Sequence, residues 1–307
     1  GVDASEGGSK LSYNLARIYA GQGEQDKARE LLVQETLDDP DNPSAHLILS
    51  EYLGSQGELE AALLAAEAAG EADPESQKAQ MRKAELLVDL GFREKEKGQI
   101  DAASSLVNEV LATAPTDADA LLVRSKIEMA EGKPAASVES LRAAIQTRPN
   151  WAEAHFLLGS ALALVGDSNG SRMELTRALE LDGRLMKARA LLAQVHAELG
   201  EHEYAVEQGR AYLQVVPGDT ATRILVAQSL VRLGKLDDAD AELQELPEED
   251  RGAEALYAIG RIQMARGDVK SARENLIKVD ELEPGQPEIL RSLVALDIQA
   301  GNAGEGV

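Results

Sequence analysis

Hydrophobic residues recur along this chain at the three- and four-residue spacing of amphipathic helices, most clearly over residues 151–183. The stretch predicts two short helices, the first ending before Gly166 and the second starting near Ser168. Their apolar positions are Phe156, Leu157, Leu158 and Leu162, then Met173, Leu175, Ala178, Leu179 and Leu181. Isolated helices of this length are marginal in water, so each needs a neighbour to cover its apolar face.

Copies of this two-helix unit run through the chain, and three series of residues give their register. Each unit closes on a proline, or on a glycine in its place: Pro40, Pro74, Pro115, Pro149, Gly183, Pro217 and Pro284. Four of the first five intervals are 34 residues and one is 41. A glycine is expected between the two helices: Gly23, Gly57, Gly98, Gly132, Gly166, Gly200, Gly234, Gly267 and Gly301. Five residues later a small side chain lets the helices approach: Ala28, Ala62, Ala103, Ser137, Ser171, Ala205, Ala239 and Ala272.

This arrangement resembles the tetratricopeptide repeat family, whose unit is a helix–turn–helix of about 34 residues. The Leu-Gly-like pair of that family appears as Leu15-Ala16, Leu49-Ser50, Leu90-Gly91, Leu158-Gly159, Leu192-Ala193, Val226-Ala227 and Ile259-Gly260. The fourth unit departs from it with Arg124-Ser125. The resemblance implies an all-α fold, a right-handed α-solenoid of about eight and a half units.

We expect a single superhelix over residues 9–300, a flexible leader or cloning scar at 1–8 and a tail at 301–307. The expected units are 9–42, 43–76, 77–117, 118–151, 152–185, 186–219, 220–252 and 253–286, with a half unit at 287–300. In the third unit the first helix is expected from about Glu75 to Lys97, seven residues longer than usual. We interpret it as a solvated helix held by charge pairs; the alternative is a kink that divides the array and presents a protruding docking point.

The last expected helix, Glu288 to Ala300, has no partner helix in the sequence. We interpret the chain as a fragment of a longer array or as one followed by a disordered remainder. Its uncovered face makes self-association through residues 288–300 one hypothesis for function.

Charge and composition narrow the classes of partner that this chain is expected to bind. The chain has 31 basic and 54 acidic residues, a net charge of −23, which opposes binding to nucleic acid or to anionic membranes. A basic partner, or a neutral one on an apolar patch, stays open. With no cysteine there is no disulfide or thiolate chemistry. The longest charge-free apolar stretch, Ala154 to Gly166, is 13 residues, too short for direct membrane insertion.

The candidate catalytic and ligand-binding residues are better explained by the repeat. His46 and His155 share one packing position of the unit, His196 takes the aromatic position of the family, and His202 falls in a turn. The Gly21-Gln22-Gly23 stretch follows a helix and not a strand, so a phosphate loop is not expected. We therefore predict no enzyme, no catalytic residue, no metal and no cofactor.

The resemblance implies that a protein or peptide partner binds on the concave face formed by the first helices. Groove side chains in that family come from the second, fifth, ninth and twelfth positions of each unit. Here those positions are assigned to Tyr13, Arg17, Val88, Phe92, Leu122, Lys126, Met129, Phe156, Ser160, Gln194, Ile224, Gln228, Val231, Tyr257 and Arg261. Phe92, Met129, Phe156 and Tyr257 are candidate anchors, although each could instead pack between repeats, as we also expect for Trp151. No unit carries the Lys and Asn of a carboxylate clamp, so a chaperone-tail partner is not expected.

The main hypothesis is a non-enzymatic protein–protein interaction scaffold. The style of the array resembles bacterial ones, which favours a role in envelope, exopolysaccharide or secretion assembly and the periplasm or envelope over the cytoplasm. One alternative is the regulatory or substrate-recruiting part of a larger enzyme, and another is a self-assembling scaffold.

Overall fold

Seventeen α-helices follow one another through residues 4–299, the part of the chain that the computed structural model describes. Within those residues there is no strand, and one 3₁₀ turn lies at Glu248–Asp250. The helices are α1 Ala4–Gly21, α2 Gln25–Asp38, α3 Pro43–Ser55, α4 Leu59–Ala72, α5 Gln77–Glu94, α6 Lys97–Thr113, α7 Ala118–Ala130, α8 Pro134–Thr147, α9 Ala152–Leu164, α10 Ser168–Leu181, α11 Met186–Glu198, α12 His202–Leu213, α13 Thr220–Arg232, α14 Leu236–Gln244, α15 Ala253–Arg266, α16 Val269–Leu282 and α17 Pro287–Gln299. The predicted all-α array of helix pairs is confirmed.

A glycine in the left-handed backbone region joins the two helices of most pairs. At Gly57, for example, φ is +79°, a conformation that only glycine adopts without steric cost. The same conformation occurs at Gly23, Gly132, Gly166, Gly200, Gly234 and Gly267. These glycines let each second helix turn back onto its first.

The third pair departs from this pattern. Gly98, expected at the turn, lies inside α6, and the left-handed residue is Lys95, with φ +57°. α5 has 18 residues and α6 has 17, whereas α3 has 13 and α4 has 14. The first helix of this pair is longer than usual, as expected, but its bounds are Gln77–Glu94 and not Glu75 to Lys97. The extra residues lengthen both helices, and the turn lies at their far end.

Small residues at the close-contact positions are completely buried between the two helices of each pair. Relative exposure is 0% for Ala28, Ala62, Ala103, Ser137, Ser171, Ala205, Ala239 and Ala272. Gly159 shows how tight the packing is, since an added Cβ would lie 2.7 Å from Cγ of Leu175. A larger side chain at such a position would force the pair apart.

The chain divides into two compact units between Ala154 and His155, inside α9. The core of the first is built on side chains such as Leu32, Leu86 and Val107. The core of the second is built on others such as Leu175, Leu230 and Leu276. The third pair packs against both α4 and α7 within the first unit, so the kink considered there is not the boundary between the compact units.

The ends of the chain differ from the expectation at one point. α1 begins at Ala4, so the expected leader is helical from that residue on. Residues 1–3 and 300–307, which include the expected tail and Ala300, lie outside the described part of the chain. In α17, Ile289 and Leu296 are buried, whereas Leu290, Val294 and Ile298 are 44%, 47% and 62% exposed.

Candidate functional site

Within each compact unit the first helices of the repeats, such as α1, α3, α5 and α7 of the first, pack side by side and form what we call the first-helix face. In the first of the two compact units, this face contains a groove of about 540 Å³ between α5 and α7. Its lining residues are Gln77, Lys78, Met81, Arg82, Glu85, Asp117, Asp119, Leu122, Val123, Arg148, Trp151 and Glu153. The side chains of Ser76 and Asp117 accept hydrogen bonds from the backbone N–H groups of Ala79 and Ala120, which fixes where α5 and α7 begin.

Charged side chains from three successive first helices meet at one end of this groove. Nζ of Lys126 on α7 contacts Glu85 on α5 and lies 2.8 Å from Oε1 of Glu153 on α9. Nη1 of Arg82 lies 2.8 Å from Oε2 of Glu85, and its Nη2 donates to the carbonyl oxygen of Ser50 at 2.9 Å. Two cations and two carboxylates thus neutralise each other in a fixed geometry.

The pKa values in this network follow its charges. Burial raises the pKa of Glu85, but Lys126 and Arg82 outweigh burial, and the net shift is downward. Burial lowers the pKa of Lys126, but Glu85 and Glu153 outweigh it, and the net shift is upward. Both groups are therefore charged at neutral pH. The side chains of Glu85 and Lys126 are 21% and 16% exposed, so they are shielded from solvent without being fully buried.

Asp89 lies on α5 one helical turn beyond Glu85, the last residue of α5 that lines the groove. Its side chain is exposed, and among the described residues it has no hydrogen-bond or ion-pair partner. Desolvation by surrounding protein atoms raises its pKa most, Glu85 and Glu153 add to the rise, and Lys126 and Arg82 act against it. Asp89 is thus a carboxylate without a counter-ion beside an otherwise neutralised network.

The only tryptophan of the chain lies at the other end of the groove. The guanidinium carbon of Arg148 lies 4.1 Å from the centre of the Trp151 ring, a cation–π contact. Nη2 of Arg148 also lies 2.8 Å from Oδ2 of Asp119. Trp151 therefore belongs to the groove wall and will report on its occupancy.

Three of the residues expected in the first unit's groove lie near this site. Leu122 forms part of its buried floor, Lys126 belongs to the charged network at one end, and Met129 lies half-buried farther along α7. The network holds Lys126, however, so this lysine does not project freely toward a partner. The expected pair Tyr13 and Arg17 lies on α1, where the Tyr13 hydroxyl donates to Glu51 at 2.8 Å.

The assignments of Val88 and Phe92 were wrong. α5 begins at Gln77 in the regular register and continues past its usual end, so its fifth and ninth residues are Met81 and Glu85 and not Val88 and Phe92. Val88 is 4% exposed in the core, and Phe92 is 72% exposed away from this groove. The residues that take the groove positions are Met81 and Glu85.

Phe92 borders a second cleft of about 670 Å³, next to the tip of the lengthened α5–α6 pair. The residues around it are Gly91, Phe92, Lys95, Lys97, Ile100, Asp101, Ala130, Glu131 and Lys133. Lys133 is neutralised by Glu131 at 2.8 Å. The remaining charges of this cleft nearly balance, so it has no clear charge preference.

In the second unit the structure brings four expected residues together. Gln228, Val231, Tyr257 and Arg261 surround a recess of only about 20 Å³. The Tyr257 hydroxyl donates to Glu288 at 2.9 Å. This recess is too small to enclose a side chain of a partner.

The other expected residues of the second unit make internal contacts. Phe156 packs against the core cluster of Leu175 and Leu192, which favours the packing role for it. The Ser160 hydroxyl donates to the backbone carbonyl of Phe156 at 2.9 Å. Ile224 is buried, and the exposed Gln194 donates to Glu198 at 3.0 Å.

The buried histidines are held by carboxylates. Nδ1 of His155 lies 2.6 Å from Glu174, and Nδ1 of His196 lies 2.6 Å from Glu201. The His196 ring also stacks on Tyr204, with ring centres 5.3 Å apart. Across residues 4–299 no group of three or more acidic or histidine side chains is placed to hold a metal ion, and no helix there is long and apolar enough to cross a membrane.

Comparisons with known proteins agree on the architecture. Residues 13–77, 88–150, 124–172 and 226–281, more than half of the chain, match the family model described as tetratricopeptide repeat. Similar solved structures include the thermophilic TPR protein TTC0263 of Thermus thermophilus, at 23% identity over 62% of this chain and 99% of that one, with TM-score 0.50. YrrB, described as a TPR protein with an unusual peptide-binding site, is 18% identical over 61% and 96%, with TM-score 0.55.

A third similar structure is the Cut9–Hcn1 hetero-tetramer of the APC/C, at 14% identity over 92% of this chain and 54% of that one, with TM-score 0.57. At such identities the likeness shows the fold alone. A comparison with curated proteins gives no match.

Proposed function

We propose, since the chain belongs to the tetratricopeptide repeat family, that it is a non-enzymatic scaffold whose first-helix face binds an extended segment of a partner protein. The observation that carries this proposal is the groove of about 540 Å³ between α5 and α7. Its volume lies within the range of roughly 300–1,000 Å³ that is common for ligand sites.

The length of the groove suits a short segment. Gln77 and Glu85 line its two ends along α5, and eight residues of helix rise by about 12 Å. An extended peptide advances roughly 3.3 Å per residue, so about four residues of a partner would lie in the groove.

The groove is held in shape before a partner arrives. Arg82 is fixed by Ser50 and Glu85, and Lys126 by Glu85 and Glu153. Side chains that are already ordered lose little conformational entropy on binding, which favours affinity. The recess near Tyr257 lacks such depth, so we place the partner on the first unit.

A peptide library displayed on phage and selected on the immobilised full chain tests this proposal. Gln77→Tyr fills the groove mouth at an exposed position, and Gln146→Tyr makes the same change at an exposed position of α8. We expect selected peptides to shift the fluorescence of Trp151, to lose at least tenfold in affinity on Gln77→Tyr and to be unaffected by Gln146→Tyr. No selected peptide, or equal binding to both variants, would reject the groove as the site.

The wider role remains a proposal from the style of the array. We place the scaffold in bacterial envelope assembly, such as exopolysaccharide export or secretion, and in the periplasm or envelope in preference to the cytoplasm. The alternative is a regulatory or substrate-recruiting part of a larger enzyme. The full-length gene separates them, since an export signal supports the first and an adjoining catalytic domain supports the second.

Self-association is a second candidate function, favoured by the exposed stripe of Leu290, Val294 and Ile298 on α17. A large apolar stripe of this kind often marks an interface. Sedimentation velocity over a hundredfold concentration range should show oligomers that Val294→Glu abolishes. A protein that stays monomeric throughout would remove this candidate.

A further inference from the structure

The charges around the α5–α7 groove point to the chemistry of its partner. We propose, resting on the groove-binding function above, that the bound segment carries a lysine or arginine side chain that pairs with Asp89. Asp89 lies on the same side of α5 as Glu85, one turn farther along, and is close enough to Lys126 and Glu153 to interact with both.

Charge pairing in and next to the groove leaves Asp89 without a counter-ion among the described residues. Arg82, Glu85, Lys126 and Glu153 neutralise one another. Asp119 and Arg148 form a separate pair at the other end, and Asp117 is occupied as the N-terminal cap of α7. No cation of the described residues pairs with Asp89, so a cation from the partner can.

The charged groups around Asp89 favour a cation of the partner over an anion at this position. Glu85 and Glu153 repel an anion there, and the cations Lys126 and Arg82 already make ion pairs with carboxylates. A carboxylate of a partner would meet a third acid and no free cation among these groups. A guanidinium or ammonium would meet a carboxylate without a counter-ion among the described residues and would offset the repulsion of Asp89 by Glu85 and Glu153.

Lys78 lies at the opposite end of the groove, is exposed, and makes no ion pair within the described part of the chain. It is eleven residues from Asp89 along α5, which corresponds to about 16 Å, or roughly five residues of an extended peptide. Among the described residues, an unpaired positive charge therefore lies at one end of α5, on Lys78, and an unpaired negative charge lies toward the other, on Asp89. The partner places its basic side chain at the Asp89 end and carbonyl oxygens or an acid at the Lys78 end.

The charge of the whole chain acts in the same direction. With a net charge of −23, the protein attracts basic partners over long distances and repels acidic ones. This attraction raises the rate of encounter, while Asp89 gives the encounter a fixed register.

Selection of a random heptapeptide phage library on the full chain tests the inference. Wild type, Asp89→Asn and Asp101→Asn are compared; the last removes the same charge from an exposed position of α6, away from the groove. We expect Lys or Arg to be enriched at one position of the peptides selected by wild type and Asp101→Asn, and not by Asp89→Asn. Synthetic copies of those peptides should bind Asp89→Asn about tenfold more weakly in Trp151 fluorescence titrations.

The outcomes separate this inference from the proposed function. Peptides that depend on an open groove, as shown by Gln77→Tyr, but carry no basic position would overturn the role of Asp89 and leave groove binding intact. Basic enrichment that persists in Asp89→Asn would also overturn it, because general attraction to an acidic protein would then explain the preference. Peptides that are indifferent to Gln77→Tyr would overturn both.

Discussion

Gly98 and Gly132 have the same surroundings and opposite backbone requirements, so alanine should affect them in opposite directions. An added Cβ meets nothing within 4 Å at either position. Gly132 has φ +73°, whereas Gly98 lies in the first turn of α6. The comparison therefore isolates backbone conformation from packing.

The expected magnitudes follow from that difference. Gly98→Ala should stabilise the protein by about 0.5–1 kcal/mol, because alanine restricts the unfolded chain and fits a helix. Gly132→Ala should destabilise it by roughly 1–2 kcal/mol, because the left-handed conformation brings Cβ close to the backbone. The two variants should differ by about 2 kcal/mol.

Urea unfolding followed by far-ultraviolet circular dichroism measures both variants against wild type. The transition midpoints should move in opposite directions with an unchanged slope, since neither change alters the surface exposed on unfolding. If Gly98→Ala lost as much stability as Gly132→Ala, Gly98 would be a turn residue. The register that places Met81 and Glu85 in the groove would then be wrong.

Three other predictions test the packing and the charges. Ser171→Ala should stabilise the protein by about 1 kcal/mol in urea unfolding, because the buried hydroxyl has no hydrogen-bond partner among the described residues. Most other repeats carry alanine at this position, so the smaller side chain fits there. A loss of stability would mean that the hydroxyl is hydrogen-bonded. Phe156→Ala should cost about 2–3 kcal/mol and Phe92→Ala less than about 0.5 kcal/mol, since the first ring packs on the core and the second is 72% exposed; equal losses would contradict these placements. Glu85→Gln should cost about 1–2 kcal/mol at pH 7, discounted for the exposure of the network. Because the pKa of Glu85 is lowered in the folded state, its contribution is present above the ordinary pKa of 4.5 and is lost as the pH falls through the folded value. The difference from wild type should therefore shrink in acid, and a constant difference from pH 7 to pH 3 would refute the role of its charge.

The repeat was predictable because its key positions obey steric rules. A residue with positive φ at a tight turn is best met by glycine, and close helix approach needs alanine, serine or glycine. Gly57 and Ala62 show both rules in one repeat, and the structure agrees with them. Such rules act within a few residues and can be read from one unit at a time.

The turn of the third repeat was harder to predict, because no residue type in the sequence shows where the extra residues are inserted. Gly98 fits a turn by spacing, and a helix tolerates it at a cost of about 1 kcal/mol. The actual turn residue, Lys95, carries no left-handed signal. If Gly98 is taken as the turn, the groove positions shift by seven residues, from Met81 and Glu85 to Val88 and Phe92.

The charged network could not be found without the correct register. Glu85, Lys126 and Glu153 are far apart in sequence and meet because α5, α7 and α9 bring them together: Glu85 and Lys126 are the ninth residues of α5 and α7, and Glu153 lies in the first turn of α9. Lys126 was predicted as a groove residue from its position alone. Its two carboxylate partners were missed, and with them the fact that it is already neutralised.

The site of partner binding can be mapped directly by photo-crosslinking. A groove-dependent peptide from the library, with a benzophenone side chain at its centre, is irradiated with the full chain and the attachment points are found by mass spectrometry. We expect attachment to residues of the groove between α5 and α7, such as Lys78, Met81 and Leu122. Attachment mainly to α6, to α8 or to the second unit would contradict the claim that this groove is where the protein binds its partner.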